Sequence, residues 1–199
     1  MVRIKKEERE LAMSHTRQRL LEAAAIEFAR AGYPGANINT ISTTAGYAKG
    51  TIYNYYSSKQ ALLLALITET AKQHLEFIVL QVRSETDLTR RLEKFFQAGF
   101  EFVTLFLPQA QVMFNTINGP NEQFKAYVYD SYQPFFQFVS NEILTPGIEQ
   151  GVFRPVDTIS MAMLLMTIYL GTASQLNAQG RPWLDPIQVA RLAINGLHR

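Results

Sequence analysis

Apolar residues recur at helical spacing along most of the chain, and no run shows the two-residue alternation of a half-buried strand. In residues 17–31, Leu20, Leu21, Ala24 and Phe28 share one face, and Gly32 with Pro34 supplies a stop, which predicts a first helix over Arg17 to Ala31. Asn37 is placed to cap a short helix across Thr40 to Thr44, with Ile38, Ile41 and Ala45 turned inward, and Gly46 permits the positive φ of a sharp turn. A second short helix, Lys49 to Tyr55, follows, with Ile52 and Tyr56 packing inward. Ser57-Ser58-Lys59-Gln60 has the form of a capping box, serine at the cap and glutamine three positions on. The apolar series Leu62, Leu63, Leu66 and Ile67 comes next, predicting a long fourth helix from near Ser58 to about Val82. Further on, Pro108, Gly119-Pro120 and Pro134 predict breaks near Leu107, Asn118 and Gln133. Gly151 and Pro155 mark Glu149 to Asp157 as a loop, followed by helices over Asp157 to Ala178 and Asp185 to Leu197. The fold class is all-α.

Two short helices joined by a glycine turn and propped by longer helices describe a helix-turn-helix, whose second short helix fits the DNA major groove. On that helix Lys49, Thr51, Tyr53, Asn54 and Tyr55 offer an ammonium, hydroxyls and an amide to phosphates and base edges. Gly50 lets the backbone approach the duplex. Residues 17–63, RQRLLEAAAIEFARAGYPGANINTISTTAGYAKGTIYNYYSSKQALL, resemble the DNA-binding domain of TetR-family transcriptional regulators along their whole length. The matching positions are Ala24, Phe28, Gly32-Tyr33, Ile41, Ala45-Gly46, Lys49-Gly50-Thr51-Ile52-Tyr53, Ser58-Lys59 and Leu62.

The resemblance implies DNA contacts from Thr40, Lys49, Gly50, Thr51, Tyr53 and Tyr55, and a phosphate contact from Lys59 at the positive end of the fourth helix. Ala48 departs from the family's usual serine, removing a cap and a hydroxyl contact, and Ser42-Thr43-Thr44 replaces the usual alanine and charged residues. Also implied is a domain order: a charged arm over residues 1–13, a helix-turn-helix DNA-binding domain over 14–60, and a helical effector-binding and dimerisation domain over 61–199, joined through the long fourth helix.

Charge supports a polyanionic partner. Residues 1–60 carry nine Lys or Arg against five Asp or Glu, net +4, and residues 61–199 carry ten against twelve, net −2. Between Gly32 and Gln60 there is no carboxylate, while Lys49 and Lys59 add positive charge, which suits double-stranded DNA. Zero Cys excludes disulfides and thiolate chemistry. His15, His74 and His198 stand alone in sequence and no nucleophile-elbow, zinc-protease or phosphate-loop motif occurs, so no enzyme activity, metal or cofactor is expected. The charged start has no apolar signal region, which indicates a cytoplasmic protein. Thr158 to Gly180 is uncharged but interrupted by polar residues, so a buried or inter-subunit helix is expected there and not a membrane span.

Residues 95–138 hold ten of the thirteen Phe and three of the nine Tyr. Ordinary core accounts for any one of them. As a group Phe96, Phe100, Met113, Phe114, Tyr132 and Phe136, with Met166 from a later helix, are candidates to line a pocket for a small hydrophobic effector. Gln97, Glu101, Gln109, Asn115 and Tyr132 are polar groups available to orient it. In the uncharged helix Thr167, Gly171 and Ser174 allow close approach and Met163, Leu170 and Met166 supply apolar area, a candidate homodimer surface. TetR-like proteins use their last two helices this way. An isologous dimer would set two recognition helices about 34 to 36 Å apart or somewhat more and require a palindromic operator. The expected function is a ligand-responsive repressor; the alternative is a helical small-molecule-binding or scaffold protein without specific DNA readout.

Overall fold

A computed structural model describes residues 2–173, 175–177 and 182–197. The described residues are helical, with one isolated antiparallel bridge between Leu176 and Pro182. The chain divides into two compact units, residues 1–68 and 69–199.

In the first unit α1 spans Val2–Gly35 and so begins well before the predicted Arg17. Residues 2–16 contain neither Gly nor Pro and are rich in Glu, Lys, Arg, Leu and Met, which hold a helix by propensity without needing an apolar stripe. Gly32, at φ 66 and ψ 170, kinks α1 where the stop was predicted. The second helix, α2, spans Ile38–Thr44, and the Asn37 carboxamide oxygen accepts from Asn39 N at 2.9 Å. Gly46 takes φ +83, and a Cβ there would stand 2.9 Å from Arg19 Nη2. After the turn comes not the predicted α-helix over Lys49 to Tyr55 but a single 3₁₀ turn, Thr51–Asn54. Its bonds run three residues back: Thr51 N to Ala48 O at 2.9 Å, Tyr53 N to Gly50 O at 3.2 Å and Tyr55 N to Ile52 O at 3.0 Å. Gly50 occupies the cap position and offers no side-chain acceptor, so nothing fixes a longer helix there. Leu20, Ala24, Phe28, Ile41, Ile52, Leu62 and Leu63 form the buried core. The long α3, Lys59–Val82, begins in this unit and ends in the second. Its cap is Ser58, whose hydroxyl accepts from Ala61 N at 3.0 Å, so a simple serine cap stands in place of the predicted Ser57–Gln60 capping box.

The second unit contains α4 (Leu88–Leu105), α5 (Leu107–Ile117), α6 (Glu122–Ser131), α7 (Gln133–Val139), α8 (Thr145–Glu149), α9 (Thr158–Ala173) and α10 (Pro186–Leu197). Its breaks fall where the prolines predicted: Pro108 and Pro134 stand in the first turns of α5 and α7, where a missing N–H costs nothing. Between α7 and α8, Ser140–Leu144 forms one π turn, with Thr145 N donating to Ser140 O. Ser140 Oγ donates to Thr158 Oγ1 at 2.7 Å. Past α8 the chain reverses over Gly151, at φ 71, and Val152 N and Phe153 N both reach Gly147 O at 2.9 Å. The uncharged helix α9 ends at Ala173, short of the predicted Ala178, which lies outside the described residues. There Thr172 turns its hydroxyl back onto Ile168 O at 2.6 Å, and the strand-like pairing of Leu176 with Pro182 follows. Helix α4 packs on α9 and α10, and Phe95, Phe96, Phe102, Phe135, Phe136, Phe153 and Tyr169 fill the core.

Candidate functional site

The recognition turn is built from the inside out. Ile52 and Tyr56 are buried, anchoring its inner face, and the buried Ser42 hydroxyl donates to Lys49 O at 3.2 Å, tying α2 to the residue ahead of the turn. Lys49, Gly50, Tyr53 and Asn54 are left exposed, Tyr53 at 57%, while Thr51 and Tyr55 are half-buried. Thr40 is exposed on α2. Thr40, Lys49, Gly50, Tyr53 and Asn54 therefore present open side chains or backbone, and Thr51, Tyr55 and Lys59 are partly covered. Behind the turn the Tyr47 hydroxyl lies 3.2 Å from Thr16 Oγ1, and the Arg19 guanidinium stacks 5.5 Å over the Tyr47 ring. Glu27 is buried and fully engaged: Arg30 donates to both of its oxygens, at 3.0 and 2.8 Å, and Asn37 N reaches Oε1 at 3.1 Å. The Arg30 hydrogen bonds hold its carboxyl below the usual range, so its negative charge is spent inside the unit.

Lys59 has a structural task of its own. Its ammonium donates to Pro34 O at 3.0 Å and Ala36 O at 3.1 Å and lies 5.0 Å over the Tyr33 ring. It thus fastens the corner between α1 and α2 to the first residue of α3, with one N–H still available. Lys59→Met is expected to lower the unfolding free energy in urea by about 1 to 2 kcal/mol, the loss of two charge-assisted bonds. Lys49→Met, at an exposed lysine, should leave it unchanged; equal midpoints for the two variants would show that the clamp carries no stability.

In the second unit a buried polar centre sits among aromatic rings. The His74 ring stacks on Phe102 at 4.1 Å between centroids and 8° between planes, with Phe135 at 4.8 Å. Its Nε2 lies 2.9 Å from the Tyr169 hydroxyl and its Nδ1 3.3 Å from the Tyr132 hydroxyl. Burial pushes the His74 pKa down to about 3 and raises both tyrosines, so all three are neutral. A Cβ on Gly99 would stand 2.8 Å from the Tyr169 ring, so this glycine admits the tyrosine to the centre. Among the described residues no group of three His, Asp or Glu is placed to hold a metal ion.

Residues 20–66 match the family described as bacterial regulatory proteins, tetR family. Of curated relatives, the transcriptional repressor AcnR of Corynebacterium diphtheriae is 38% identical over 66 residues, which are 33% of this chain and 35% of that protein. The transcriptional repressor KstR2 of Mycobacterium tuberculosis is 28% identical over 155 residues, 70% of each chain. The chain therefore carries a TetR-type DNA-binding domain over residues 20–66. Its fold is shared by the regulator FadR from Bacillus subtilis, solved in complex with stearoyl-CoA, at a TM-score of 0.77 and 21% identity over 91% of this chain and 99% of that one.

The aromatic residues predicted to line an effector pocket in this chain take several places. Phe96, Met113, Tyr132, Phe136 and Met166 are buried, and Phe114 is 38% exposed. Phe96 meets Tyr169 edge-on, and Tyr132 meets Phe136, so these side chains fill the space they were expected to enclose. Phe100 lines an open cleft of about 870 Å³ together with Gln97, Glu101, Trp183 and Ile187. Trp183 was not picked out from sequence; no motif marks it between Pro182 and Leu184.

The predicted dimer residues also divide. Thr167 is exposed, Met163 and Gly171 are half-buried, and Ser174 lies outside the described residues. Leu170 is only 8% exposed and Met166 is buried, so both belong to the protomer core and do not supply outer apolar area. That area comes from Leu164, 50% exposed, and Leu192 of α10, 77% exposed, which flank a groove of about 240 Å³ with Met161, Ile168 and Gly196. Sequence could not choose between Leu164 and Leu170 because α9 is apolar around its whole circumference.

Proposed function

We propose that the chain binds a palindromic operator as a homodimer, represses transcription in the cytoplasm, and is released by a small hydrophobic effector of the acyl-CoA class. What carries this reading is the unbroken family match over residues 20–66 together with an exposed, carboxylate-free set, Thr40, Lys49, Gly50, Tyr53 and Asn54, at the recognition turn. Thr51 and Tyr55 complete the contact surface, and Lys59 offers its remaining N–H to a phosphate. The named relatives AcnR and KstR2 are repressors, and FadR from Bacillus subtilis holds stearoyl-CoA, which supports the direction of regulation and the effector class. In domain terms residues 1–13 serve as the arm, 14–60 as the DNA reader and 61–199 as the effector and dimer domain. Helix α3 carries Lys59 at its first position and His74 farther along, so an effector that shifts α3 acts on the DNA-reading corner. Operator and effector then oppose each other reciprocally, by about 1 to 3 kcal/mol.

Selection of binding sites from random duplexes tests the DNA half. A palindrome should be enriched, Tyr53→Ala should weaken its binding by about tenfold or more, and Lys49→Ala should reduce the salt slope by about one. Weak binding without sequence enrichment would remove operator recognition from the reading. Leu192→Glu places a charge on the apolar α9 and α10 face and is expected to yield monomers in sedimentation with operator affinity reduced in parallel. Unchanged dimers would exclude this face as the contact.

A further inference from the structure

The buried centre does not satisfy its own hydrogen bonds. A neutral imidazole has one donor and one acceptor nitrogen, so of the two tyrosines touching His74 one donates to it and the other accepts from it. Either tautomer leaves one of the two tyrosine hydroxyl protons unused; with Tyr169 donating at the shorter, 2.9 Å contact to Nε2, that proton is on Tyr132. Nδ1–H then points at the Tyr132 oxygen, and the Tyr132 hydroxyl proton is left without an acceptor in a fully buried position. Thr70 is a second, independent case: its Oγ1 is buried with no hydrogen-bond partner. Thr70 precedes His74 by four residues on α3, one turn away on the same face. Two unused buried donors in one aromatic core are costly unless a third party supplies an acceptor.

We infer that the Thr70, His74, Tyr132 and Tyr169 centre is the polar end of the effector site and takes a neutral hydrogen-bond acceptor, the carbonyl oxygen of a thioester or ester, from Tyr132. This rests on the effector reading above and specifies its chemistry. A carbonyl oxygen has two lone pairs, enough for Tyr132 and Thr70 together. A carboxylate is excluded by charge: the buried polar side chains described in this unit are Thr70, His74 and Ser140 with the tyrosines, and none is cationic. An anion there would lose its hydration without a counter-charge. Phe102, Phe135 and Phe136 close around the centre and must part to admit the apolar chain next to such a carbonyl.

The test titrates stearoyl-CoA, the S-stearyl thioether of coenzyme A, which has the same chain without the carbonyl oxygen, and stearate against the full-length protein by calorimetry. The wild type should bind the thioester about tenfold more tightly than the thioether, and stearate least. Tyr132→Phe and Thr70→Val should each lower the preference to about threefold, and the double variant should bind thioester and thioether equally. The ring nitrogens of ¹⁵N-labelled His74 should shift with the thioester and not with the thioether, which a packing role for Tyr132 would not produce. Should Tyr132→Phe fail to fold, Thr70→Val and the His74 signal decide the matter. Both CoA compounds binding without preference, or stearate binding as tightly as the thioester, overturns this assignment while leaving the effector class standing. If neither CoA compound binds a protein that still binds its operator, the effector class falls and this assignment with it.

Discussion

Replacing His74 by phenylalanine is expected to make the protein less stable at neutral pH and less sensitive to mild acid. The first effect follows from the tyrosines: both hydroxyls lose their partner inside an aromatic core, at about 2 to 4 kcal/mol together. The second follows from linkage. Folded His74 titrates near 3, far below the ordinary histidine value, so between about pH 6.5 and 3 the unfolded chain binds a proton that the folded chain refuses. The wild type therefore keeps its full stability above pH 6.5 and loses about 1.4 kcal/mol per pH unit as the pH falls through that window. Glu27, with its carboxyl held below the usual range, adds its own loss only at lower pH, below the ordinary carboxylate value. Urea titrations at pH 7 and 5.5 isolate the histidine: the wild type should fall by about 1 kcal/mol more than His74→Phe. Parallel losses in the two proteins would mean that His74 is not held neutral.

The second large effect belongs to Gly147 in α8. A Cβ placed there would fall within the ring of Phe153, a fully buried side chain on the return of the chain past Gly151. Gly147→Ala must push the ring or the backbone aside, and the same glycine's carbonyl accepts from Val152 N and Phe153 N, so neither is free to move alone. A loss of about 1 to 3 kcal/mol or more is expected in urea. Phe153→Leu, which opens space beside position 147, should make the double variant less destabilised than the sum of the singles. By contrast a Cβ on Gly196 of α10 meets nothing within 4 Å, and Gly196→Ala should gain about 0.5 to 1 kcal/mol from helix propensity. Strict additivity at 147 and 153 would show that the ring is not the obstacle.

The first unit was legible residue by residue because short-range rules govern it. Asn37 caps, Gly46 turns, and Ile52 and Tyr56 point inward; in the second unit the breaks at Pro108 and Pro134 likewise fall as chain stereochemistry requires. The 3₁₀ form of the recognition turn was not legible, since Lys49 to Tyr55 has the same apolar spacing in either helix type. Only the missing side-chain cap at Ala48 and Gly50 hinted at it. The end of α9 escaped for a related reason: neither glycine nor proline directly follows Ala173 to mark it. The polar centre was beyond reach, because His74 meets Tyr132 and Tyr169 across 58 and 95 residues and nothing local marks that meeting. Lys59 was singled out for its charge, yet its two carbonyl partners depend on how α1 bends at Gly32.

The π turn at Ser140–Leu144 holds one residue more than an α-helical path would need. A π turn is the way a helix absorbs one inserted residue, so the segments on either side keep the faces they would have on an α-helix one residue shorter. Deleting one residue from it would restore ordinary winding and leave Gly147 beside Phe153. Anywhere else in these helices the same deletion turns everything beyond by about 100°. A single-codon deletion is therefore milder in this corner than in the helices on either side of it.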